Sequence, residues 1–321
     1  MRRVDSNAAV DWLLRSDEPA IRSLTRRDVL GEHPKTEATE ILSGPKVLAL
    51  LSGQQADGGF GRNPYRKFTG AHWRLISLAE LEAPPADPRV AAAAEHILTW
   101  LMGKDRHRGK ATVIDGLARA HTCIDGNALA ACCRLGLARD NRARAMAESL
   151  LEWQWPDGGW NSDRTASGRR SSFHESLPAA RGLHEYAQVT GDRAAQAGAA
   201  RAAELFLEHR LLFKLKTGRP IRSQWLQLRY PSYWHYDLLG SLLLVSRLGS
   251  VRDSRARDAL DGLERRRLPD GRWAADGRWW NPPGSARSPD AVDWGESGSP
   301  NEMITLNALR VLRAAGRLEI R

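Results

Sequence analysis

Cysteine, methionine, phenylalanine and tyrosine are all scarce in this chain, with three, four, five and five copies in 321 residues. Cys132 and Cys133 are adjacent and Cys123 stands apart, which is too few and too close for a disulfide framework, so reduced thiols are expected. No apolar run approaches the roughly 18 residues that a spanning helix needs, which argues against an integral membrane protein. The opening Met1-Arg2-Arg3-Val4-Asp5 leads to Asn7 and Asp11 rather than to an apolar stretch. No signal peptide is therefore expected, and a cytoplasmic location is. Apolar/polar alternation over more than four residues is also rare, so no strand pattern competes with helices.

Two things are abundant. Lys and Arg total 48 against 38 Asp and Glu, a formal charge of +10. The arginines are spread over presumed outer helix faces (Arg142, Arg144, Arg201, Arg255, Arg257), and the densest run is only Arg265-Arg266-Arg267. That distribution reads as a solvated basic surface, with no specific nucleic-acid partner expected. Tryptophan supplies 12 residues, more than Phe and Tyr together, so large indole faces are being placed as packing or as walls.

Internal repetition organises the rest. Gln55-Ala56-Asp57-Gly58-Gly59-Phe60 returns as Gln154-Trp155-Pro156-Asp157-Gly158-Gly159-Trp160 and, eroded, as Leu268-Pro269-Asp270-Gly271-Arg272-Trp273. The aspartates are 157 − 57 = 100 and 270 − 157 = 113 residues apart, two units of about 50 to 56 each. Intermediate copies are expected at Met102-Gly103-Lys104-Asp105 and Lys216-Thr217-Gly218-Arg219. Asp87, Asp140, Asp192 and Asp253 each precede an Arg- and Ala-rich segment and are expected N-caps, because a carboxylate accepts the free N–H groups of a first turn.

Each unit therefore reads as an outer helix, an Asp-Gly turn and an inner helix. Outer helices are expected near 35–52, 88–102, 141–154, 193–213 and 254–267, amphipathic with one apolar stripe such as Ala259, Leu260 and Leu263. Inner partners are expected near 70–83, 120–137, 174–190, 233–248 and 300–315, apolar on nearly every side. A further pair at 7–15 and 18–30 precedes them, its second helix opened by Glu18-Pro19. The fold expected is all-α, an (α/α)6 toroid of about six helical hairpins, with residues 1–321 as a single domain that includes the N-terminal pair at 7–30. A linear solenoid of helix pairs is the alternative.

At the Gln154 to Trp160 and Gln55 to Phe60 segments, the chain resembles the terpenoid cyclase and protein prenyltransferase superfamily, whose Gln-Trp repeats, the squalene cyclase repeats, look like these. The resemblance covers about residues 35–315. It implies the toroid with a central cavity at the N-terminal ends of the inner helices. The catalytic motifs depart from it: no Asp-x-Asp-Asp tetrad of the squalene-hopene type occurs, and Cys123-Ile124-Asp125 reverses the Asp-x-Cys order of the zinc-binding prenyltransferases.

In such a ring the inner-helix N-termini bring together His72-Trp73, His121 to Asp125, Phe173-His174-Glu175, Tyr233 to Asp237, and Asn301-Glu302. Three readings stand side by side. Asp125, Glu175, Asp237 and Glu302 cap helices and stabilise them. Alternatively Asp237 is a catalytic acid with His235 and His174 as proton partners and Glu175 and Asp125 as further acids, while His72, Trp73, Tyr233, Trp234, Tyr236 and Glu302 line the ligand. Thirdly, three of Cys123, His121, His174 and Asp237 hold a metal, for which zinc is the cofactor the donor types suit, although no Cys-x-x-Cys-like spacing supports it. Cys132 and Cys133, in an apolar helix, read as small core residues. Two irregular segments, Arg219–Pro231 and Trp279–Glu296, carry Arg and Trp and are long enough to be lids.

The expected function is binding of a small hydrophobic, isoprenoid-like molecule in an aromatic cavity, with acid-base chemistry on it. A toroidal carbohydrate lyase or hydrolase, with Tyr233 or Tyr236 as base and Arg229 neutralising a carboxylate, is the enzyme alternative. A non-catalytic ligand carrier or interaction ring is the other. Oligomeric state is not legible.

Overall fold

The computed structural model describes residues 7–34, 37–103 and 111–318. The chain forms two compact units. One comprises Met1–Ala49, Leu207–Ser232 and Tyr236–Arg321, the other Leu50–Phe206 and Tyr233–His235. The fold is all-α, with outer and inner helices alternating along the chain as in an α/α toroid. Among the described residues the only paired strands form one small hairpin.

In the first unit, α1 (Asn7–Leu14) and α2 (Pro19–Thr25) form the N-terminal pair, and α2 runs on into a π-helical turn over Arg26–Leu30 that Gly31 ends in the left-handed region. The outer segment expected at 35–52 is two helices, α3 (Ala38–Leu42) and α4 (Pro45–Leu51), because Pro45 has no N–H to continue a ladder and opens a new first turn instead. Lys35 and Thr36, at the start of that expectation, lie outside the described residues, as do Lys104 and Asp105 and the opening Met1 to Asp5. The unit's remaining helices are α11 (Leu238–Arg247), α12 (Arg257–Arg265) and α13 (Glu302–Ala314). α12 buries Ala259, Leu260 and Leu263, the stripe read from its pattern. α13 packs against α11 and also against α1 and α2, so the last helix of the chain closes on the first. An ion pair from Arg310 to Asp28 at 2.5 Å holds that closure, and one from Lys46 to Glu302 at 3.1 Å ties α4 to the start of α13.

The second unit holds α5 (Ala71–Glu80), α6 (Pro88–Met102), α7 (Thr122–Arg134), α8 (Asn141–Glu152), α9 (Phe173–Thr190) and α10 (Arg193–Glu208). Every residue from Thr122 to Cys133 is buried, as an inner helix packed on all sides requires. α7 lies closest to α9. A Cβ on Gly126 would sit 2.4 Å from the Pro178 carbonyl oxygen, and one on Gly182 would sit 2.5 Å from the Gly126 oxygen, so glycine at both positions sets this spacing. Strands β1 (Thr112–Ile114) and β2 (Leu117–Arg119) pair antiparallel about Asp115-Gly116, both at positive φ. The sequence reading passed over this hairpin, although Asp-Gly between short apolar runs is its signal.

The four expected outer caps accept backbone N–H groups: Asp87 from Arg89 at 2.8 Å, Asp140 from Arg142 at 2.7 Å, Asp192 from Ala195 at 2.9 Å and Asp253 from Arg255 at 2.8 Å. The three Asp-Gly turns are also built alike. Trp160 donates its indole N–H to the Leu150 carbonyl at 2.8 Å, and Trp273 donates to Leu263 at 2.8 Å, satisfying the end of the preceding helix. Phe60 has no such donor. In its turn Arg74 lies over the Phe60 ring at 4.1 Å and donates to the Leu50 carbonyl at 2.8 Å, so a guanidinium does the work of an indole. The amide of Gln154 donates to Gly158 and Gly198 at 2.7 and 2.8 Å. Its counterpart is Gln54, bonded to Gly58 and Arg89 at 3.1 and 2.8 Å, rather than the neighbouring Gln55. In the Lys216 to Arg219 segment, Lys214 donates to the Arg219 carbonyl at 2.9 Å and closes a turn.

Candidate functional site

The inner helix expected at 233–248 begins only at Leu238, which makes Asp237 its N-cap in extended backbone (φ −153°, ψ 176°). Its Oδ1 accepts the Gly240 N–H at 2.7 Å. Its Oδ2 is buried and, among the described residues, meets no hydrogen-bond donor. Burial is the largest influence on this carboxyl and disfavours its charge. The Gly240 N–H, the Arg229 guanidinium and the Leu239 N–H pull the other way, and the balance leaves its pKa at about 7 against an ordinary 3.8. Because Oδ1 is committed as an acceptor, the neutral form carries its proton on Oδ2.

Aromatic and cationic residues of the same unit pack against one another. Tyr236 is fully buried and donates its hydroxyl to the Leu211 carbonyl at 2.7 Å, with its ring 4.7 Å from Trp225. Burial holds its phenol well above the ordinary range, so Tyr236 stays a neutral structural donor. Trp280 donates its indole N–H to the Tyr230 carbonyl at 2.9 Å, and Tyr230 packs edge-on to Trp294 at 5.1 Å. The two segments singled out as lids therefore form one layer: Leu228 donates to Asp276 Oδ2 at 2.7 Å, and the Arg229 guanidinium lies 4.0 Å from the Trp279 ring centre.

Glu175, in the first turn of α9 in the other unit, is spent differently. Its oxygens accept the Cys123 N–H at 2.8 Å and the Ser162 hydroxyl at 2.7 Å, with His121 Nδ1 at 3.3 Å and the Thr122 hydroxyl at 3.5 Å. These donors overcome the opposing effect of burial and hold the carboxyl below its ordinary value. Glu175 is thus an ionised clamp from α9 onto the start of α7, and its lowered pKa leaves it no proton to deliver at neutral pH. His121 is exposed at that clamp.

The second unit also gathers an aromatic array. Trp73 is sealed among Tyr65, Phe68, Tyr233 and Trp234 at centroid distances of 4.8, 5.6, 5.0 and 5.3 Å, with His72 edge-on at 4.7 Å. Trp73 and His72 are both 1% exposed. Trp234 is half-buried and lies between Lys67, whose Nζ is 4.0 Å from its ring centre, and His235, stacked at 4.1 Å. His174 stands edge-on to His235 at 6.1 Å. Tyr233 stacks on Phe68 at 4.8 Å and holds a positive φ of 52°, which its carbonyl supports by accepting from Asn127 at 3.2 Å.

Asp125 is buried in the first turn of α7, and Glu302 pairs with Lys46 rather than standing open. Among the described residues no three His, Cys, Asp or Glu side chains stand together as metal ligands, so the side chains weighed for zinc do not fit it. Burial pushes the Cys132 thiol up to about 12 and the Cys133 thiol higher still, in keeping with inert core residues. One buried acid escaped the sequence reading. Glu18, read only as a helix start, is fully buried with Oε2 accepting the Lys46 N–H at 2.7 Å, and burial raises its pKa.

No family model matches the chain, and no curated protein does. Solved structures do resemble it. A protein from Actinoplanes is 17% identical over 97% of this chain and 98% of its own, with a TM-score of 0.45. A variant of the type II terpene cyclase MstE from Scytonema, in complex with geranylgeranyl dihydroxybenzoate, is 18% identical over 97% of each chain, also at 0.45. The GH76 α-mannanase BT2949 from Bacteroides thetaiotaomicron is 15% identical over 76% of this chain and 68% of its own, at 0.40. None of these likenesses carries weight for the chemistry, which is read from the residues.

Proposed function

We propose that this protein is a terpenoid cyclase-like enzyme that binds an apolar, isoprenoid-like molecule and acts on it by acid catalysis, with Asp237 as the acid. The observation that carries this reading is the divided carboxyl of Asp237: one oxygen fixed by the Gly240 N–H, the other buried and without a donor, and a pKa of about 7. A neutral carboxylic acid kept out of water is matched to protonating a weak base such as an alkene near pH 7. The step balances as follows. The Oδ2–H bond breaks, the proton bonds to one alkene carbon using the π pair, the other carbon becomes cationic, and Asp237 is left as carboxylate. The Gly240 N–H and Arg229 then stabilise that carboxylate, and indole and phenol faces stabilise the carbocation. The product cation then loses a proton to water, and Asp237 takes one back from solvent, which restores the neutral acid and completes the turnover.

In this proposal Glu175 positions α7 within its own unit and takes no part in the proton transfer. The test is turnover of farnesyl- and geranylgeranyl-bearing compounds by the wild-type chain and by Asp237→Asn, with ligand affinity measured separately. Lost turnover with retained affinity supports the reading, and equal rates remove Asp237 from the chemistry. Activity on uronide oligosaccharides instead would favour the carbohydrate alternative. Binding with no turnover of any compound would favour the carrier.

A further inference from the structure

Three of the four outer-helix caps share a feature that the fourth lacks. Two residues after Asp87, Asp140 and Asp253 stands an arginine whose guanidinium forks back onto the cap. Arg89 reaches Asp87 at 3.1 and 2.9 Å, Arg142 reaches Asp140 at 3.0 and 2.8 Å, and Arg255 reaches Asp253 at 3.1 and 2.8 Å. Two residues after Asp192 stands Ala194. Asp192 Oδ1 accepts the Ala195 N–H at 2.9 Å, but among the described residues no cation lies within 4.0 Å of this carboxylate. Asp192 lines a groove of about 550 Å³ in the second unit, between one face of α8, with Arg144, Ala147, Glu148 and Leu151, and the end of α9. Arg139 and Arg144 on this groove, and Glu148 as well, have no ion-pair partner among the described residues. Tyr186 lines it too; it is 5% exposed, and its hydroxyl has no hydrogen-bond partner among the described residues. The groove is of ligand size, and its acids, guanidinia and buried hydroxyl are all unspent.

We infer that this groove binds arginine, either free or as the last residue of a peptide, with the ligand guanidinium on Asp192 and the ligand carboxylate on Arg139 and Arg144. The chain's own repeats show what a cap aspartate takes at this place: a guanidinium in a two-bonded fork. A ligand guanidinium supplies the fork that Ala194 cannot. Two guanidinia without an internal carboxylate receive the other end of the same molecule, and its methylene stem lies along Ala147, Leu151 and the Tyr186 ring. A lining with two acids and two bases favours a ligand that carries both charges over one that carries either alone. The site is independent of the acid role of Asp237.

The experiment is calorimetric titration of the full-length chain with L-arginine, N-acetyl-L-arginine, L-citrulline and agmatine. L-arginine should bind with a Kd below about 1 mM. L-citrulline, which has a neutral urea in place of the guanidinium, and agmatine, which lacks the carboxylate, should each bind at least about tenfold more weakly. N-acetyl-L-arginine separates the two sources: binding equal to that of arginine supports the end of a peptide, and weaker binding supports the free amino acid. Ala194→Arg, at an exposed position, gives the fourth cap the fork of the other three and should abolish binding while leaving the urea midpoint no lower. Asp192→Asn keeps an acceptor for the Ala195 N–H but loses the charge, and should weaken binding about tenfold. No binding of arginine at about 10 mM, equal binding of citrulline, or binding that survives Ala194→Arg overturns the inference.

Discussion

Glu175 and Asp237 are both buried carboxylates at the start of inner helices, and they have opposite fates. Glu175 has the Cys123 N–H, the Ser162 hydroxyl and His121 around its two oxygens, so its charge is favoured despite burial. Asp237 has one short hydrogen bond, from the Gly240 N–H, with weaker help from Arg229 and the Leu239 N–H, and its charge is disfavoured. Burial alone does not make an acid. What separates the two is the number of N–H and O–H groups aimed at the second oxygen. A fully satisfied carboxylate stays ionised, whereas a half-satisfied one, as Asp237 is and as Glu18 is, is pushed toward its neutral form by burial.

The largest expected effect is on turnover. Asp237→Asn keeps the cap, since an amide oxygen accepts the Gly240 N–H, but has no acidic proton, and turnover should fall by at least about 100-fold. Glu175→Gln should leave the rate constant of correctly folded enzyme within about threefold. The comparison breaks if the two variants change places.

Next comes the pH dependence of stability, where the two sites should have opposite signs. Asp237 has a folded pKa raised above its unfolded value, so its contribution is fully present below pH 3.8 and is lost as pH rises through about 7. At its ceiling that loss is about 1.4 kcal/mol per pH unit. Asp237→Asn should therefore gain stability relative to wild type as urea unfolding is moved from pH 5 to pH 8. Glu175 has a depressed pKa, so its contribution is present above its unfolded value near 4.5 and is lost as pH falls through its lowered value. Glu175→Gln should flatten the acid limb only.

A smaller effect is expected on stability at neutral pH. Glu175→Gln replaces a charge-assisted acceptor for several buried donors and should cost about 2 kcal/mol, read as a lower urea midpoint with an unchanged slope. His121→Ala removes only the exposed member of the same set and should cost about 0.5 kcal/mol or less. A larger loss for His121→Ala than for Glu175→Gln would show that the clamp is not centred on the carboxylate.

Much of the helical frame was legible because caps and turns are local chemistry. Asp87, Asp140, Asp192 and Asp253 accept the N–H groups their positions predict, and the buried length of α7 follows from its run of small and apolar residues. Features that depend on a partner distant in sequence were less legible. Arg74 substituting for an indole cannot be read without knowing that it reaches Leu50, and the glycine pair at 126 and 182 declares itself only where α7 meets α9. The start of α11 was placed five residues early because Tyr233 to Tyr236 are apolar enough to read as helix, although Tyr233 takes a positive φ. At the candidate site, the residue types were visible but their states were not. Sequence grouped Glu175 with Asp237, and only the count of donors around each oxygen separates them.

The most direct measurement is a pH titration of the Asp237 carboxyl by carbon-13 NMR, assigned by the signal that disappears in Asp237→Asn. The account predicts a midpoint near 7, well apart from the other aspartates. A midpoint near the ordinary 3.8 would mean that the second oxygen is solvated or paired, and would contradict the acid role.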